Sequence, residues 1–263
     1  MSEERVGSRL SGAGFTRGML PEMERAALLE SFGSQGLITD VLGPIGSGKE
    51  ATVYSCVAHP TVGVERLAAK VYRSDRFKAF RGIGGYAGTR GHRDTRSTRA
   101  MQTGTAVGRR MAHHEWVGWE WEVLCRVHDA GADVPEPLAR SADAILMEHI
   151  GDGAGPAPKL RAVALDADAA RGALERLLRN VEIFLDCHLV HGDLSEYNIL
   201  WWEGRPWVID VPQSVDARSH GDAFQYLSRD VANLERCFRA HAISTHGAAR
   251  RLWSHYVRGS LGR

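Results

Sequence analysis

Long apolar runs are missing from this chain. No stretch of about 18 uninterrupted apolar residues occurs, so a membrane-spanning helix is not expected. The N-terminus has no apolar segment of signal-peptide length and carries Glu3, Glu4, Arg5 and Arg9 instead, so secretion is not expected. Cysteine is scarce, with residues 56, 125, 187 and 237 too scattered for a Cys-x-x-Cys site and too few for a disulfide scaffold. A reducing cytoplasm is the expected compartment. Net charge is close to nil at +1, yet the balance is uneven. From Arg73 to Ala112 ten basic residues face two acids, a local +8 that leaves about −7 for the remainder, which points to a partner or to a loop that handles phosphate. What is present is ordinary: 43% hydrophobic and 25% charged residues exclude a wholly disordered or fibrous chain. The 263 residues suffice for one sizeable domain or for two lobes that share a cleft.

Residues 1–20 are rich in Gly and Ser and are expected to be loosely ordered, whereas Pro21 to Phe32 has helical spacing. Leu37–Leu42, Ala51–Ala58 and Arg66–Tyr72 read as antiparallel strands separated by Gly-Pro, Gly-Ser-Gly and His-Pro punctuation. The segment from about 73 to 112 holds seven glycines and many arginines without a hydrophobic period, which predicts a mobile or partner-ordered insertion. His113–Asp129 is expected to be helical, Val134–Pro137 an extended link, and Ala144–His149 a strand. A helix over Ala167–Cys187, a hairpin of Ile199–Trp202 with Pro206–Val211, and a helix over Asp222–His241 complete the reading. A strand-rich lobe with one long helix thus precedes a helical lobe with a hairpin.

Three features carry chemistry. The first is Gly46-Ser47-Gly48-Lys49-Glu50-Ala51-Thr52-Val53. Small residues between two strands let backbone N–H groups approach a polyphosphate, in the manner of a kinase-type G-x-G-x-x-G-x-V loop with Ala51 at the third glycine position. A plain hairpin turn is the competing reading. A Walker A loop fits less well, because Glu50 stands where that loop places a magnesium-binding Ser or Thr and a strand follows. The second feature is Lys70, inside the apolar strand Leu67-Ala-Ala-Lys-Val71. A buried lysine needs an anion, or else lies at a strand edge and snorkels to water. Glu120 and Glu122 are the acids available on the next helix, and Glu120, flanked by Trp119 and Trp121, is the favoured partner over a solvated helix face.

The third feature is Val190-His-Gly-Asp-Leu-Ser-Glu-Tyr-Asn198, in which Asp193 and Asn198 keep the five-residue interval of a kinase catalytic loop. One carboxylate orients an acceptor hydroxyl and takes its proton, while a neutral amide oxygen ligates magnesium without adding charge. Asp210, at the end of Trp207-Val-Ile-Asp, is the second carboxylate required to bridge metal and phosphates. His191 is expected to brace the backbone. Against this stands a polar turn with two unrelated aspartates. The ordered set of glycine loop, Lys70, Asp193, Asn198 and Asp210 favours the chemical reading.

Ile45–Tyr54, His191–Leu200 and Val208–Val215 resemble the RIO family of atypical serine/threonine protein kinases, particularly the branch whose loop reads S-T-G-K-E-A-N-V-Y. Ala130–Pro137, Ile145–Gly151 and the helix around Leu227–Asn233 support the resemblance, which runs from about 37 to 240. It implies an α+β, two-lobed protein-kinase-like fold with a strand-rich N-lobe and a compact helical C-lobe without an activation segment; no Ala-Pro-Glu follows Asp210. By the resemblance 1–35 is an N-terminal extension with a short helix, 36–150 the N-lobe with its hinge near 147–150, and 151–263 the C-lobe. It further implies ATP with magnesium or manganese in the cleft. Ser47, Gly48, Lys49, Glu50 and Val53 would line the phosphates, Lys70 would pair with Glu120, and Glu148 and Ile150 would offer backbone groups to adenine behind Met147. Asp193, Asp210 and Lys70 would be the catalytic residues and Asn198 and Asp210 the metal ligands, with an aspartyl phosphate at Asp210 as an intermediate known in the family. The chain departs from the pattern at Gly46 for serine, Thr52 for asparagine and Pro212 for serine.

The implied function is ATP-dependent phosphoryl transfer to an unknown protein substrate, or ATP hydrolysis. Two alternatives are a small-molecule phosphotransferase of the aminoglycoside kinase kind, which shares the His-Gly-Asp-Leu segment, and a nucleotide-switched module whose basic 73–112 loop contacts RNA or a ribosomal particle. No membrane partner is expected.

Overall fold

The structure is a computed structural model and describes residues 22–73, 106–241 and 243–259. Its first half is built on a five-stranded sheet of β1 (Ile38–Ser47), β2 (Ala51–Ala58), β3 (Arg66–Tyr72), β4 (Pro137–Arg140) and β5 (Ala144–Glu148), in the order β1-β2-β3-β5-β4 with every neighbour antiparallel. The central strand β3 reads as a nearly unbroken run of small and apolar residues because both of its faces are covered. On one face α1 (Glu22–Leu28) continues into a π-helical turn, Leu29–Gly33. These residues bury Leu28 and Phe32 against Ile38, Tyr54, Leu67 and Leu146. On the other face lies α2 (Ala106–Asp129), which presents Trp116, Val117, Glu120, Val123, Leu124 and Val127 at the three- and four-residue spacing of a buried helical stripe.

The helix expected from His113 therefore begins at Ala106. Gly108 and the Arg109-Arg110 pair break the apolar pattern there and hid its start. The rest of the expected basic insertion, 74–105, and the Gly- and Ser-rich residues 1–20 lie outside the described residues. β1 also runs further than its sequence pattern predicts, through Gly43-Pro44 and into the glycine loop, accommodated by register shifts on either side of Pro44.

The second half opens with a small hairpin, β6 (Gly151–Asp152) and β7 (Gly155–Pro156), followed by α3 (Ala167–Asp186). Asp166 caps α3 by accepting from Ala169 N at 2.8 Å. Leu174, Leu177, Val181 and Leu185 carry its buried face. β8 (Leu189–Val190) leads into the His-Gly-Asp-Leu segment, and β9 (Ile199–Trp202) and β10 (Arg205–Val208) form the expected hairpin. Its turn residues Glu203 and Gly204 both have positive φ, 49° and 73°, as a two-residue turn matched to strand twist requires. β11 (Val215–Asp216) pairs with β8, after which come α4 (Ala223–Cys237) and α5 (Ala248–Val257). One core cluster runs from Ala51, Tyr72 and Ile145 through α2 into α3, α4 and α5, so the two halves share apolar packing.

Asp133, on the link between α2 and β4, ties the first half to the second. Its carboxylate accepts two bonds from Arg176 at 2.7 Å each and one from Asn180 at 2.9 Å. Its backbone carbonyl accepts from Val208 N at 2.7 Å. Burial alone would raise the Asp133 carboxyl, but Arg176 and Asn180 reverse this and hold it below the ordinary carboxylate range. Asp133→Ala is expected to cost about 2–4 kcal/mol at pH 7 in urea melts, because it strips a paired Arg and Asn of their acceptor. A depressed folded pKa stabilises above the unfolded value and ceases to do so as pH falls through the folded one, so the gap between variant and wild type should narrow as pH falls below the ordinary carboxylate range.

Candidate active site

Strand parity and helical phase bring three charged side chains to one point. Lys70, level with Val53 on β2 and Ile145 on β5, projects from the face of β3 that meets α2. Its ammonium lies 2.6 Å from Glu120 Oε1 and 2.5 Å from Asp210 Oδ1. Glu120 is 2% exposed, whereas Glu122 points to solvent, so only one of the two candidate acids reaches Lys70. Burial would pull Lys70 down, yet the carboxylates of Asp210 and Glu120 more than reverse this and raise its pKa. The proximity of Lys70 pulls Asp210 below its usual range, while burial pushes Glu120 up. Asp210 keeps 45% of its side-chain surface open, so it is the member of the trio that also faces the cleft.

Asp210 has φ of 66°, an uncommon conformation for a non-glycine residue that Asp tolerates better than most. Opposite it, the loop from His191 to Asn198 is held from beneath. The buried Asp230 of α4 accepts from Gly192 N at 2.8 Å and from Leu194 N at 3.0 Å. Asn233 donates to Leu194 O at 2.9 Å, and Arg229 donates to Gly192 O. Gly192 has φ of 81°, and a Cβ there would meet Gln213 O at 2.6 Å, so no other residue fits. His191 does brace the loop: its Nδ1 accepts from Asp193 N at 3.3 Å, which leaves Nε2–H to donate to Ile209 O at 3.4 Å, beside Asp210. Asn198 gives its Nδ2 to the Asp193 carbonyl at 2.9 Å and to Asp193 Oδ2 at 3.1 Å. Asn198 is thereby fixed through its amide nitrogen, and Asp193 itself is exposed.

The glycine loop is a tight hairpin closed by Gly48 N to Ala51 O at 2.9 Å. Ser47, Gly48 and Lys49 are exposed, Val53 is half-buried beside Lys70, and Glu50 is half-buried. Burial, and after it the charge of Asp210, raises the Glu50 carboxyl. Met147, level with Ala68, is half-buried against the main core. Glu148 donates its N–H to Glu136 O at 2.8 Å, and Ile150 accepts from Ala157 N at 2.8 Å with its side chain buried beside Trp207. Every candidate from the sequence thus lies on the glycine hairpin, on β3, on α2, at the end of β5 or on the two acidic loops.

Three residues at the site were missed. Tyr72 donates to Glu120 Oε2 at 2.5 Å, Arg73 donates to Ser47 Oγ at 2.9 Å and Thr52 Oγ1 at 2.7 Å, and Asp230 holds the loop amides. The period-two alternation of β3 could have placed Tyr72 on the face of Lys70. Nothing in a linear pattern distinguishes Asp230 from a solvated helical acid.

The donor set suits a hard divalent cation: one open carboxylate and one amide oxygen, with phosphates and water completing the shell. Among the described residues, no group of three or more His, Cys, Asp or Glu side chains could hold a metal alone. A sheet-based half joined to a helical half, with a lysine–glutamate pair, an Asp–Asn loop and a following aspartate at their junction, defines the protein-kinase-like class of fold. Within that class a family model described as RIO domain matches residues 52–250. The chain belongs to the RIO family. It is 31% identical over 219 residues to human serine/threonine-protein kinase RIO1, covering 80% of this chain and 35% of that one. It is 27% identical over 223 residues to human serine/threonine-protein kinase RIO3, covering 84% and 43% respectively. The RIO-type serine/threonine-protein kinase Rio1 of Thermoplasma acidophilum is 32% identical over 130 residues, 49% of this chain and 67% of that one. The chain therefore spans between a third and a half of the two human relatives. The His-Gly-Asp-Leu segment lies inside the stretch matched by the RIO model.

Asp230→Asn would turn an amide N–H toward one of two backbone donors. It is expected to destabilise the chain by about 2–4 kcal/mol and to speed hydrogen exchange at Gly192 and Leu194 well before that at core amides of α3. Unchanged protection at these two amides would show that Asp230 does not hold the loop.

Proposed function

We propose that the chain is an ATP-dependent phosphotransferase of the serine/threonine protein kinase kind, able to transfer phosphate to a protein hydroxyl or transiently to Asp210. The observation that carries the reading is Lys70 held between Glu120 and Asp210 while Asp193, on the facing loop, stays exposed. ATP would lie between the glycine hairpin and the β9–β10 ribbon, with adenine near the backbone of Glu148 and Ile150 and behind Met147. Ser47, Gly48, Lys49 and Glu50 would close over the phosphates, and Lys70 would offset their charge. Asn198 Oδ1 and the Asp210 carboxylate would hold magnesium or manganese, which supplies charge neutralisation on the phosphates when bound.

Asp193 orients the acceptor hydroxyl and takes its proton as the oxygen–phosphorus bond forms; the bond from the γ-phosphorus to its bridging oxygen breaks, and ADP leaves. If the Asp210 carboxylate is the acceptor, the acyl phosphate formed is cleaved by water to inorganic phosphate, giving net ATP hydrolysis. The lobe division at residues 36, 150 and 151 belongs to this reading, as does a cytoplasmic location. The four cysteines are all free thiols, which supports a reducing compartment. Among the described residues, no helix is long and apolar enough to cross a membrane. A contact of the basic 73–112 segment with RNA or a ribosomal particle is kept as part of the proposal, since arginines suit phosphate backbones. An affinity for ribosomal RNA that is absent or indifferent to salt would remove that contact.

Asp193→Ala is expected to keep ATP binding while turnover falls by roughly a hundredfold or more. Asp210→Ala should lose metal-dependent ATP binding or any acid-stable, hydroxylamine-sensitive label from γ-labelled ATP. Unchanged turnover in both variants would overturn the assignment.

A further inference from the structure

Tyr72 enters neither the catalytic set nor the metal set, yet it touches the ion pair at their centre. It stands two residues beyond Lys70 on β3, so both side chains project from the same face. The two reach opposite ends of one carboxylate: Lys70 Nζ lies 2.6 Å from Glu120 Oε1, and Tyr72 Oη donates to Glu120 Oε2 at 2.5 Å. Glu120 is 2% exposed and Tyr72 4% exposed, so neither can draw on bulk water. A carboxylate bonded at both oxygens cannot turn about its terminal torsion. Without Tyr72, the buried Oε2 has one obvious donor left, the ammonium of Lys70, and a bidentate Glu120 would draw that ammonium away from Asp210.

Tyr72 is itself fixed on three sides. Its backbone N donates to Asp143 O at 2.9 Å. His113 abuts its ring edge-on, with centroids 6.4 Å apart and planes at 84°, and His113 Nε2 lies 2.8 Å from Asp143 Oδ1. The Lys70 ammonium lies 5.4 Å from the ring centroid. We infer that Tyr72 is a positioning residue for phosphoryl transfer: by occupying one oxygen of Glu120 it limits that carboxylate to a single bond with Lys70 and keeps the ammonium shared with Asp210. This rests on the phosphotransferase reading above.

The same sheet supplies a control. Tyr54 on β2 is also buried, and its hydroxyl donates to a glutamate, Glu24 of α1, but it lies on the opposite face with the outer core. Both Tyr→Phe changes keep the ring and remove one hydroxyl bond to a carboxylate. ATP turnover should be measured for wild type, Tyr72→Phe, Tyr54→Phe, Glu120→Gln and the double variant Tyr72→Phe/Glu120→Gln. Tyr72→Phe should lower kcat by about tenfold or more, as expected for loss of a hydrogen bond to a charged group. Tyr54→Phe should leave kcat within about twofold while lowering thermal stability by a similar amount. Because Tyr72 acts through Glu120, the double variant should be no slower than Glu120→Gln alone. An active wild type with equal kcat in the two Phe variants, or with additive losses in the double variant, overturns the role of Tyr72 and leaves the phosphotransferase reading standing. A wild type without turnover overturns that reading first, and the role of Tyr72 with it.

Discussion

The fold depends on a charge that cannot be left alone. An ammonium buried in the middle of a sheet would cost several kcal/mol without partners, and Lys70 has its partners from two places that are remote in sequence. Glu120 arrives on α2 and Asp210 on the loop after β10, 50 and 140 residues away. Neither meets Lys70 unless sheet, helix and second half are assembled together, so the ion pair and the global packing are one cooperative event. The charges do not cancel. Two carboxylates contact one ammonium, and Glu50 and Asp193 add their charges nearby. Lys159 offsets part of this charge, and the acidic side chains that remain would favour a divalent cation as counter-charge to any phosphate placed beside them.

The facing loop solves a different problem, that of keeping an exposed group still. Asp193 is open to solvent, but the backbone on both sides of it is not free: Gly192 N and Leu194 N bind Asp230, Gly192 O binds Arg229, and Leu194 O binds Asn233. His191 then links the loop to Ile209 and thus to the neighbour of Asp210. The two acids are therefore positioned from one scaffold, with α4 beneath the loop and His191 across it. Uncommon backbone angles at Gly192 and Asp210 persist because these contacts over-determine them.

What could be read from the chain was what short-range physics writes into it. β2 and β3 were legible to the residue, because their apolar runs end at Gly and Pro punctuation, and α3 was legible because a single apolar stripe repeats along it. Lys70 was legible because a lysine in such a run demands an anion. α5 was not, since its ends lack a clear signal and its buried residues, Ala248 and Leu252, are few. β4 was not, because Pro137 and Leu138 form a strand only once β5 is beside them. The sequence pattern put Leu28, Leu29 and Phe32 on one side of a helix near Pro21–Phe32, but not which surface they would cover, the outer face of the sheet. Asp230 illustrates the general case: burial and partners belong to the assembled molecule, and an isolated Asp on a helix carries neither.

The glycine hairpin, between β1 and β2, and Lys70, on β3, are served by opposite faces of the same sheet. Arg73 is three residues beyond Lys70 and hence points the other way, toward the face that carries Ser47, Thr52 and Val71 by cross-strand register. From there its guanidinium reaches both hydroxyls, and its backbone N donates to Glu50 O at 2.9 Å. Thr52, where the family's usual residue is asparagine, thus has its partner on the far side of the sheet from Lys70. The tip beyond Ser47 is exposed, and its base is tied to this anchor. The base of the hairpin is therefore held from one face of the sheet by Arg73, while the ammonium of Lys70 is fixed from the other by Glu120 and Asp210.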